Sequence, residues 1–521
     1  MILKIKKLLY PTTCILMMLS MRGFAQHEKQ WEQYVSIEEN DTEKEIIYKA
    51  AHLVPSDRQM AWQELEFTCF LSFGINTFTD REWGTRDYTP AMFNPSTVDA
   101  RQWCRVAKEA GMKLMLLVSK HHDGFCLWPS KKTDFTVASS PWKDGKGDVM
   151  KELADACREY GLKLGVYLSP WDMHEPTYGS EAYNDFFVGQ LTELLTNYGP
   201  IAEVWFDGAS GEGPNGKKQE YDWDRYYHTI RKLQPEAVIA VMGPDVRWVG
   251  TETGYGRETE WSVVPVNTSE QSRIAGNSQQ QEGSGTFIPE GNRMEQDLGS
   301  RKKLLGAPGL IWYPSEVDVS IRPGWFYHPR EDSLVKTPEK LVDIYYSSVG
   351  MNSLLLLNLP PDRRGVIHEN DIRSVMGMRR ILDETFSENI AVHAKLDATN
   401  TGIGFSPDKM VDGDTRTYWA ASPGITSAII EINLKSIRSF DRLLLQEDIR
   451  NGQRIESFTI EYFDGFNWKR ITEATTVGYK RLLRFETVKG SRIRVNILSS
   501  RDRPEISEIG VFMSSKDDIM P

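Results

Sequence analysis

Cysteine is scarce: five in 521 residues, no two of them in a CxxC spacing. That excludes a disulfide-framed miniprotein and argues against a zinc ribbon or a thioredoxin-type redox motif. Cys69, Cys104, Cys126 and Cys157 are expected as buried free thiols, with one disulfide left open. Basic blocks are missing too. Acidic residues outnumber basic ones by 73 to 62, a net charge of −11, the wrong sign for a nucleic-acid binder. No GxGxxG opens a helix after a strand, so a dinucleotide fold is not indicated. Past the N-terminal stretch no apolar run is long enough to span a membrane. What is present is a large apolar fraction, 40%, with 26% charged residues, enough for a sizeable core. Aromatics reach 11%. Core packing accounts for most of them, and sugar-binding clefts are one other place such rings go.

Residues 1–25 read as an export signal. Lys4, Lys6 and Lys7 precede a mostly apolar stretch from Leu8 to Met21, and Gly23-Phe24-Ala25 offers small residues for cleavage before Gln26. The expected location is therefore periplasmic or secreted. From Phe67 to about Pro361 short apolar runs alternate with amphipathic stretches. Strands are predicted at 68–75, 113–119, 162–169, 202–206, 237–242, 309–313 and 354–359. Helices are predicted at 97–110, 150–160, 181–197, 223–233 and 338–348. Repeated strand–helix units over this length predict an α/β fold, a (β/α) TIM-like barrel, over residues 26–388. A Gln/Ser/Gly/Asn-rich stretch, 267–300, reads as a long loop. After a helix near 370–386 the pattern changes to short alternating strands at 428–434, 440–446, 457–463, 481–485 and 491–497. Asp464-Gly465 and Lys489-Gly490 read as turns between them, which predicts a β-sandwich over 389–521.

In such a barrel, chemistry sits at the C-terminal ends of strands. Those ends here read Ser119-Lys120-His121-His122-Asp123-Gly124, Ser169-Pro170-Trp171-Asp172, Trp205-Phe206-Asp207-Gly208 and Trp248-Val249-Gly250-Thr251-Glu252. Rings beside acids and histidines suit a pyranose. Two carboxyl groups on one face suit glycoside hydrolysis, one ionised to attack the anomeric carbon and one protonated to release the leaving oxygen. Asp207, directly after an apolar strand, is the candidate nucleophile, and Glu252, on a Gly-flanked loop, the candidate acid/base. Asp80, Asp123, Asp172, Glu258 and Glu260 compete for these roles. His121 and His122, read as adjacent residues on a strand, should point opposite ways, so a shared metal is not expected.

Lys120-His121-His122-Asp123-Gly124-Phe125, Glu82-Trp83-Gly84 and Val204-Trp205-Phe206-Asp207-Gly208 together resemble the α-L-fucosidases of glycoside hydrolase family 29. The runs 76–84, 248–252 and 316–325 are similar to the subfamily associated with α-1,3/1,4-linked fucose on branched, Lewis-type glycans. The resemblance implies a retaining exo-glycosidase with Asp207 as nucleophile and Glu252 as acid/base. It implies no cofactor for catalysis and a fucosylated oligosaccharide or glycoprotein glycan as partner, with no nucleic acid and no membrane; oligomeric state is left open. It places Glu82, Trp83, His121 and His122 on sugar hydroxyls, with Trp205, Tyr167 and Trp325 lining the pocket. Retention implies carboxyl groups about 5–5.5 Å apart. One departure stands out: the family's His-Phe-Gly run reads Ser72-Phe73-Gly74 here. A shorter hydroxyl would replace an imidazole contact, which leaves room for slow turnover or another glycone such as an α-galactoside or modified 6-deoxyhexose. A non-catalytic fucose-glycan binding protein is the further alternative.

The C-terminal segment resembles coagulation factor V/VIII type C (discoidin) domains and carbohydrate-binding module family 32. The resemblance rests on the run 409–419 and on Ser507-Glu508. It implies a structural Ca²⁺ held by the Lys409 and Thr417 carbonyls with Asp412, Asp414 and Glu508; the bland alternative is that Asp412-Gly413-Asp414 is only a turn. Such modules often bind galactose-type sugars, but no aromatic platform stands out.

Overall fold

The computed structural model describes residues 33–266 and 296–518. The expected export signal lies outside the described residues, as does 267–295 of the expected loop.

A short strand β1 (Tyr34–Ser36) precedes two helices, Glu43–His52 and Asp57–Gln63. Each opens on a capping box. Thr42 and Ser56 accept from the backbone three residues on, while Glu45 and Gln59 reach back to the cap backbone. The barrel follows: β2 (Phe67–Leu71), β3 (Leu114–Lys120), β4 (Lys163–Leu168), β5 (Glu203–Phe206), β6 (Val238–Val241) and β7 (Arg247–Trp248). β8 (Val263–Pro265) and β9 (Gly309–Trp312) leave it to pair antiparallel with one another, β9 also with β1. β10 (Ser315–Ser320) and β11 (Leu354–Asn358) return to it. The eight parallel strands lie in the order β6-β5-β4-β3-β2-β11-β10-β7. A parallel bridge between Ala240 and Val246 brings the two ends together, so the barrel is nearly closed.

Sequence explains the strands. β3 and β11 are apolar almost throughout because helices cover them outside and side chains fill them inside. The helix Ala100–Glu109 is capped by Asp99 and buries Trp103, Cys104, Val106 and Ala107 against the sheet. Fully burying a side chain of that size contributes roughly 1.5–3 kcal/mol. Gly161, at φ 70°, stops the helix Val149–Tyr160, and a Cβ-bearing residue there would be strained. All four described cysteines are free and buried, with the Cys104 and Cys157 sulfurs 3.9 Å apart.

Three strand expectations need correction. The strand expected at 68–75 ends at Leu71, and Ile75 already opens a short helix, Ile75–Thr79. Residues 309–313 do form a strand, but in the small antiparallel sheet. The barrel strand is Ser315–Ser320, whose alternating acids disguise it. In the second domain the strands are β12 (Lys395–Ala398), β13 (Trp419–Ala420), β14 (Ala428–Glu447), β15 (Ile455–Phe463), β16 (Trp468–Thr475), β17 (Arg481–Ser500) and β18 (Glu505–Phe512). The separate strands expected at 428–434 and 440–446 are one strand of 20 residues, as are those at 481–485 and 491–497. Lys489-Gly490 is no turn: both residues pair with β14. Bulges between Asn433 and Arg438 and between Phe440 and Arg442 absorb the break in alternation, so β14 bends instead of reversing. Asp464-Gly465 does connect β15 to β16.

Candidate functional site

An open-mouthed cavity sits at the C-terminal end of the barrel. Phe70, Tyr167 and Trp205 form its floor; Tyr167 and Trp205 stack at 5.2 Å between centroids, and Phe70 lies 5.7 Å from Trp205 and 5.7 Å from Trp325. Ser72, Trp83, His121, His122, Asp207, Glu252, Trp325 and Phe326 complete the wall with Val118 and Asp318. A larger hollow of about 380 Å³ opens where β4 begins, around Trp62, Leu65 and Ile201, and Glu236 is its only carboxylate. Lacking paired acids and facing the wrong end of the strands, it does not suit hydrolysis.

The two acids sit in unlike surroundings. Asp207 Oδ2 accepts from Tyr167 OH at 2.7 Å, and Oδ1 accepts from the Ala209 N–H at 2.7 Å. Burial raises its pKa, and these donors with His121 oppose the rise. Glu252 is pushed well above the ordinary glutamate range, by burial first and then by the negative charge of Asp318. The Trp325 indole N–H, 3.3 Å from Oε2, opposes this. One acid is thus supported as a carboxylate and the other held as an acid.

The two histidines correct the expectation that they diverge. β3 ends at Lys120, so strand alternation no longer applies, and both rings line the cavity with centroids 4.0 Å apart. Both are neutral: burial lowers His121 well below its usual value and takes His122 down to about 3. Ser169 Oγ donates to Trp171 O at 2.7 Å, so its one proton is committed. At 2.7 Å from His122 Nδ1 it must then accept, which assigns the proton to Nδ1 and leaves Nε2 a bare acceptor 3.7 Å from Asp207 Oδ2.

Glu82 does not line the cavity. Its carboxylate accepts from the Trp325 N–H at 2.8 Å and the Phe326 N–H at 3.3 Å, and pairs with His328 at 2.6 Å. It fastens the loop that presents Trp325. Asn358 does similar work, accepting from the Ser72 N–H at 3.0 Å and donating to Trp325 O at 2.7 Å. The competing acids are occupied elsewhere. Asp80 pairs with His328 and Arg330, Asp172 with buried Lys120, and Glu260 with Arg247 and Arg257. Asp123 caps its own turn through the Phe125 N–H at 2.7 Å. Glu258 lies on the limb that returns from Glu252 toward β8, outside the cavity lining.

Sequence reasoning missed Asp318, Phe326, Ser169 and Asn358. The signal for Asp318 was the Glu316-Val317-Asp318 alternation, which turns two acids into the barrel. There the Trp248 indole donates to Asp318 at 2.7 Å and the Trp205 indole to Glu316 at 2.6 Å. Glu316 lies against Glu203, which accepts from the Trp62 indole at 3.3 Å. Burial lifts Glu203 to about 7 and holds Glu316 well above the ordinary glutamate range, since two neighbouring buried carboxyls cannot both ionise.

In the second domain, Asp412 accepts from the Thr417 hydroxyl at 2.7 Å and the Asp414 N–H at 2.9 Å. Asp414 is turned onto Arg416, at 2.8 and 3.0 Å. Glu508 Oε1 is buried without a partner, and burial with the Asp412 charge raises Glu508 to about 7. Like charges gathered around an orphaned oxygen suit a hard cation. Among the described residues, however, no three carboxylate, histidine or thiol side chains stand close enough to hold a metal ready-made.

Residues 47–384 match the family model for α-L-fucosidase, and residues 392–510 that for the F5/8 type C domain. The chain is 44% identical to putative α-L-fucosidase 1 of Oryza sativa subsp. japonica, across 89% of this chain and 85% of the relative. It is 42% identical to α-L-fucosidase 1 of Arabidopsis thaliana, across 88% and 87%. A crystal structure of a putative α-L-fucosidase from Bacteroides ovatus superposes with a TM-score of 0.80 at 49% identity, covering 93% of this chain and 78% of that one. A Ruminococcus gnavus family 29 fucosidase solved in complex with fucose does so at 0.77 and 32% identity, covering 90% and 96%. With its barrel matched over 338 residues and its acids at the barrel mouth, the chain belongs to the α-L-fucosidase family, the hydrolases of fucosides assigned to glycoside hydrolase family 29.

Proposed function

We propose that this chain releases terminal α-1,3/1,4-linked L-fucose from branched, Lewis-type glycans with retention. Asp207 attacks C1 as the glycosidic C–O bond breaks, and Glu252 gives its proton to the departing oxygen. Glu252, now a carboxylate, takes a proton from water. The water oxygen bonds to C1, the C1–O(Asp207) bond breaks, and Glu252 is again an acid. The supporting observation is that both carboxyl groups line one cavity while their surroundings push Glu252 further up than Asp207. Trp83, Tyr167, Trp205 and Trp325 would shelter the C–H faces of the ring. His122 Nε2 would accept a sugar hydroxyl, and His121 and Ser72 would contact others. Glu82 would act through the Trp325 loop. The bound fucose in the Ruminococcus gnavus neighbour supports a fucose-sized pocket here.

Mass-spectrometric detection of fucose from Lewis a, Lewis x and 2′-fucosyllactose, with Asp207→Ala as control, tests the reading. Release from the branched sugars alone, lost in Asp207→Ala, is expected. Equal release from 2′-fucosyllactose would refute the linkage preference, and an active Asp207→Ala would refute the nucleophile. Export to the periplasm or medium, and Ca²⁺ held by Asp412, Asp414, Glu508 and the Lys409 and Thr417 carbonyls, complete the proposal. The orphaned Glu508 oxygen supports the ion, whose role would be to tie the loop to β18.

A further inference from the structure

The segment from β7 to β8 goes out with Glu252 and comes back along the second domain. Arg257 Nη2 donates to Val249 O at 2.7 Å and ties the two limbs together. Between them, the Gly256 N–H donates to Ser347 O at 2.7 Å, so close that a Cβ at 256 would stand 2.7 Å from the same oxygen. Tyr255 OH donates to Asp343 Oδ2 at 2.8 Å, and Asp343 is itself paired with Arg484 of β17.

The returning limb, residues 258–262, is gripped from both domains, and the sandwich supplies most of the bonds to residues 258–260 other than the Glu260 carboxylate. Arg481 Nη1 donates to Glu258 O at 2.6 Å. The Thr475 and Thr259 hydroxyls meet at 2.8 Å, and Thr476 Oγ1 accepts from the Glu260 N–H at 3.1 Å. Gln453 donates to Glu260 O at 2.9 Å and accepts from the Ser262 N–H at 2.8 Å. From the barrel, Arg247 of β7 pairs with the buried Glu260 carboxylate and donates to Trp261 O at 3.1 Å, and Asn352 donates to Glu260 O at 3.2 Å. Arg481 is 3% exposed, makes no ion pair among the described residues, and its Nε has no partner. Burying a guanidinium is costly. Here the recipient of that charge is a backbone carbonyl six residues from Glu252.

We propose that the C-terminal sandwich is a positioning element for acid catalysis: Arg481, Thr475, Thr476 and Gln453 fix the returning limb of the loop whose outgoing limb aims Glu252 into the cavity. The inference rests on reading Glu252 as the acid/base. Proton donation matters for a sugar leaving group and little for a nitrophenolate, so displacement of Glu252 has its own signature in kcat/KM.

The test uses the full chain with Arg481→Met and Thr476→Val together. A Lewis trisaccharide should lose about 10²-fold in kcat/KM, the scale expected for a catalytic group moved by roughly an ångström. Nitrophenyl fucoside should stay within about threefold. Arg481→Lys, which keeps one donor for Glu258 O, should recover most of the loss. Thr259→Val cuts one contact from the loop side and leaves the sandwich intact, so it serves if the double variant fails to fold. Equal losses on both substrates, or none on either, would overturn the proposal. Glu252→Ala runs in parallel: if it lacks the leaving-group difference, the acid/base reading has failed, not the bracing.

Discussion

Ser169→Ala removes one oxygen that lies behind the cavity lining, yet it should weaken catalysis. In the native site Ser169 Oγ, fully buried, receives the His122 Nδ1–H and passes its own proton to Trp171 O. Without it, Nδ1–H would stay buried and unsatisfied, a penalty of about 1–3 kcal/mol. The imidazole avoids that by moving its proton to Nε2. It then presents a donor toward Asp207 Oδ2, 3.7 Å away, in place of an acceptor toward substrate. A reoriented sugar hydroxyl recovers part of the lost bond, so the net cost should be about 1–2 kcal/mol. That is about 5–30-fold in kcat/KM. The loss should appear in both kcat and KM with nitrophenyl fucoside, and the thermal midpoint should change little. Nitrogen NMR of the His122 ring should show the Nδ1–H tautomer in the native protein and Nε2–H in the variant. Native Nε2–H, or unchanged kcat/KM, would refute the assignment.

Three further expectations concern protons and ions. The pH profile of kcat/KM should be bell-shaped. Its acid limb is set by Asp207 above the usual aspartate value, and its alkaline limb, set by Glu252 well above the usual glutamate value, should vanish in Glu252→Gln. Glu203, raised to about 7, binds more proton folded than unfolded, so stability should fall as pH rises from about 4.5 to about 7. Glu203→Gln should remove up to about 3 kcal/mol of that fall in urea midpoints measured at pH 5 and 8, and parallel curves for both proteins would contradict this. Millimolar CaCl₂ should raise the thermal midpoint, more so above pH 7, where Glu508 has shed its proton. A shift that survives Asp412→Ala would place the ion elsewhere.

Much was legible because local signals agreed with the tertiary fold. Helices 181–197, 223–233 and 338–348 run to their expected ends, since each has one apolar face and a clear start. The place of Asp207 on the cavity wall was legible because the strand ahead of it is short and apolar. What stayed hidden depends on contacts distant in sequence. The placement of Glu82 under Trp325 spans 243 residues. The joint facing of His121 and His122 follows from where β3 stops pairing. The bends of β14 and β17 are indistinguishable from turns without knowing their partners. Ser315–Ser320 was obscured because acids inside a barrel break the apolar pattern that marks its neighbours.

The indoles of Trp62, Trp205 and Trp248 each donate to one oxygen of an interior acid: Glu203, Glu316 and Asp318. These pairs constrain how the sequence can drift. A lone Trp205→Phe keeps the shape of the floor but strips Glu316 of its donor, and a lone Glu316→Leu leaves a buried indole N–H facing carbon. Either intermediate carries the cost of an orphaned polar group, roughly 1–3 kcal/mol, while the paired change need not. Substitutions at these positions should therefore arrive in couples across neighbouring elements, and a graft of this active site onto another barrel would have to carry the pairs beneath it.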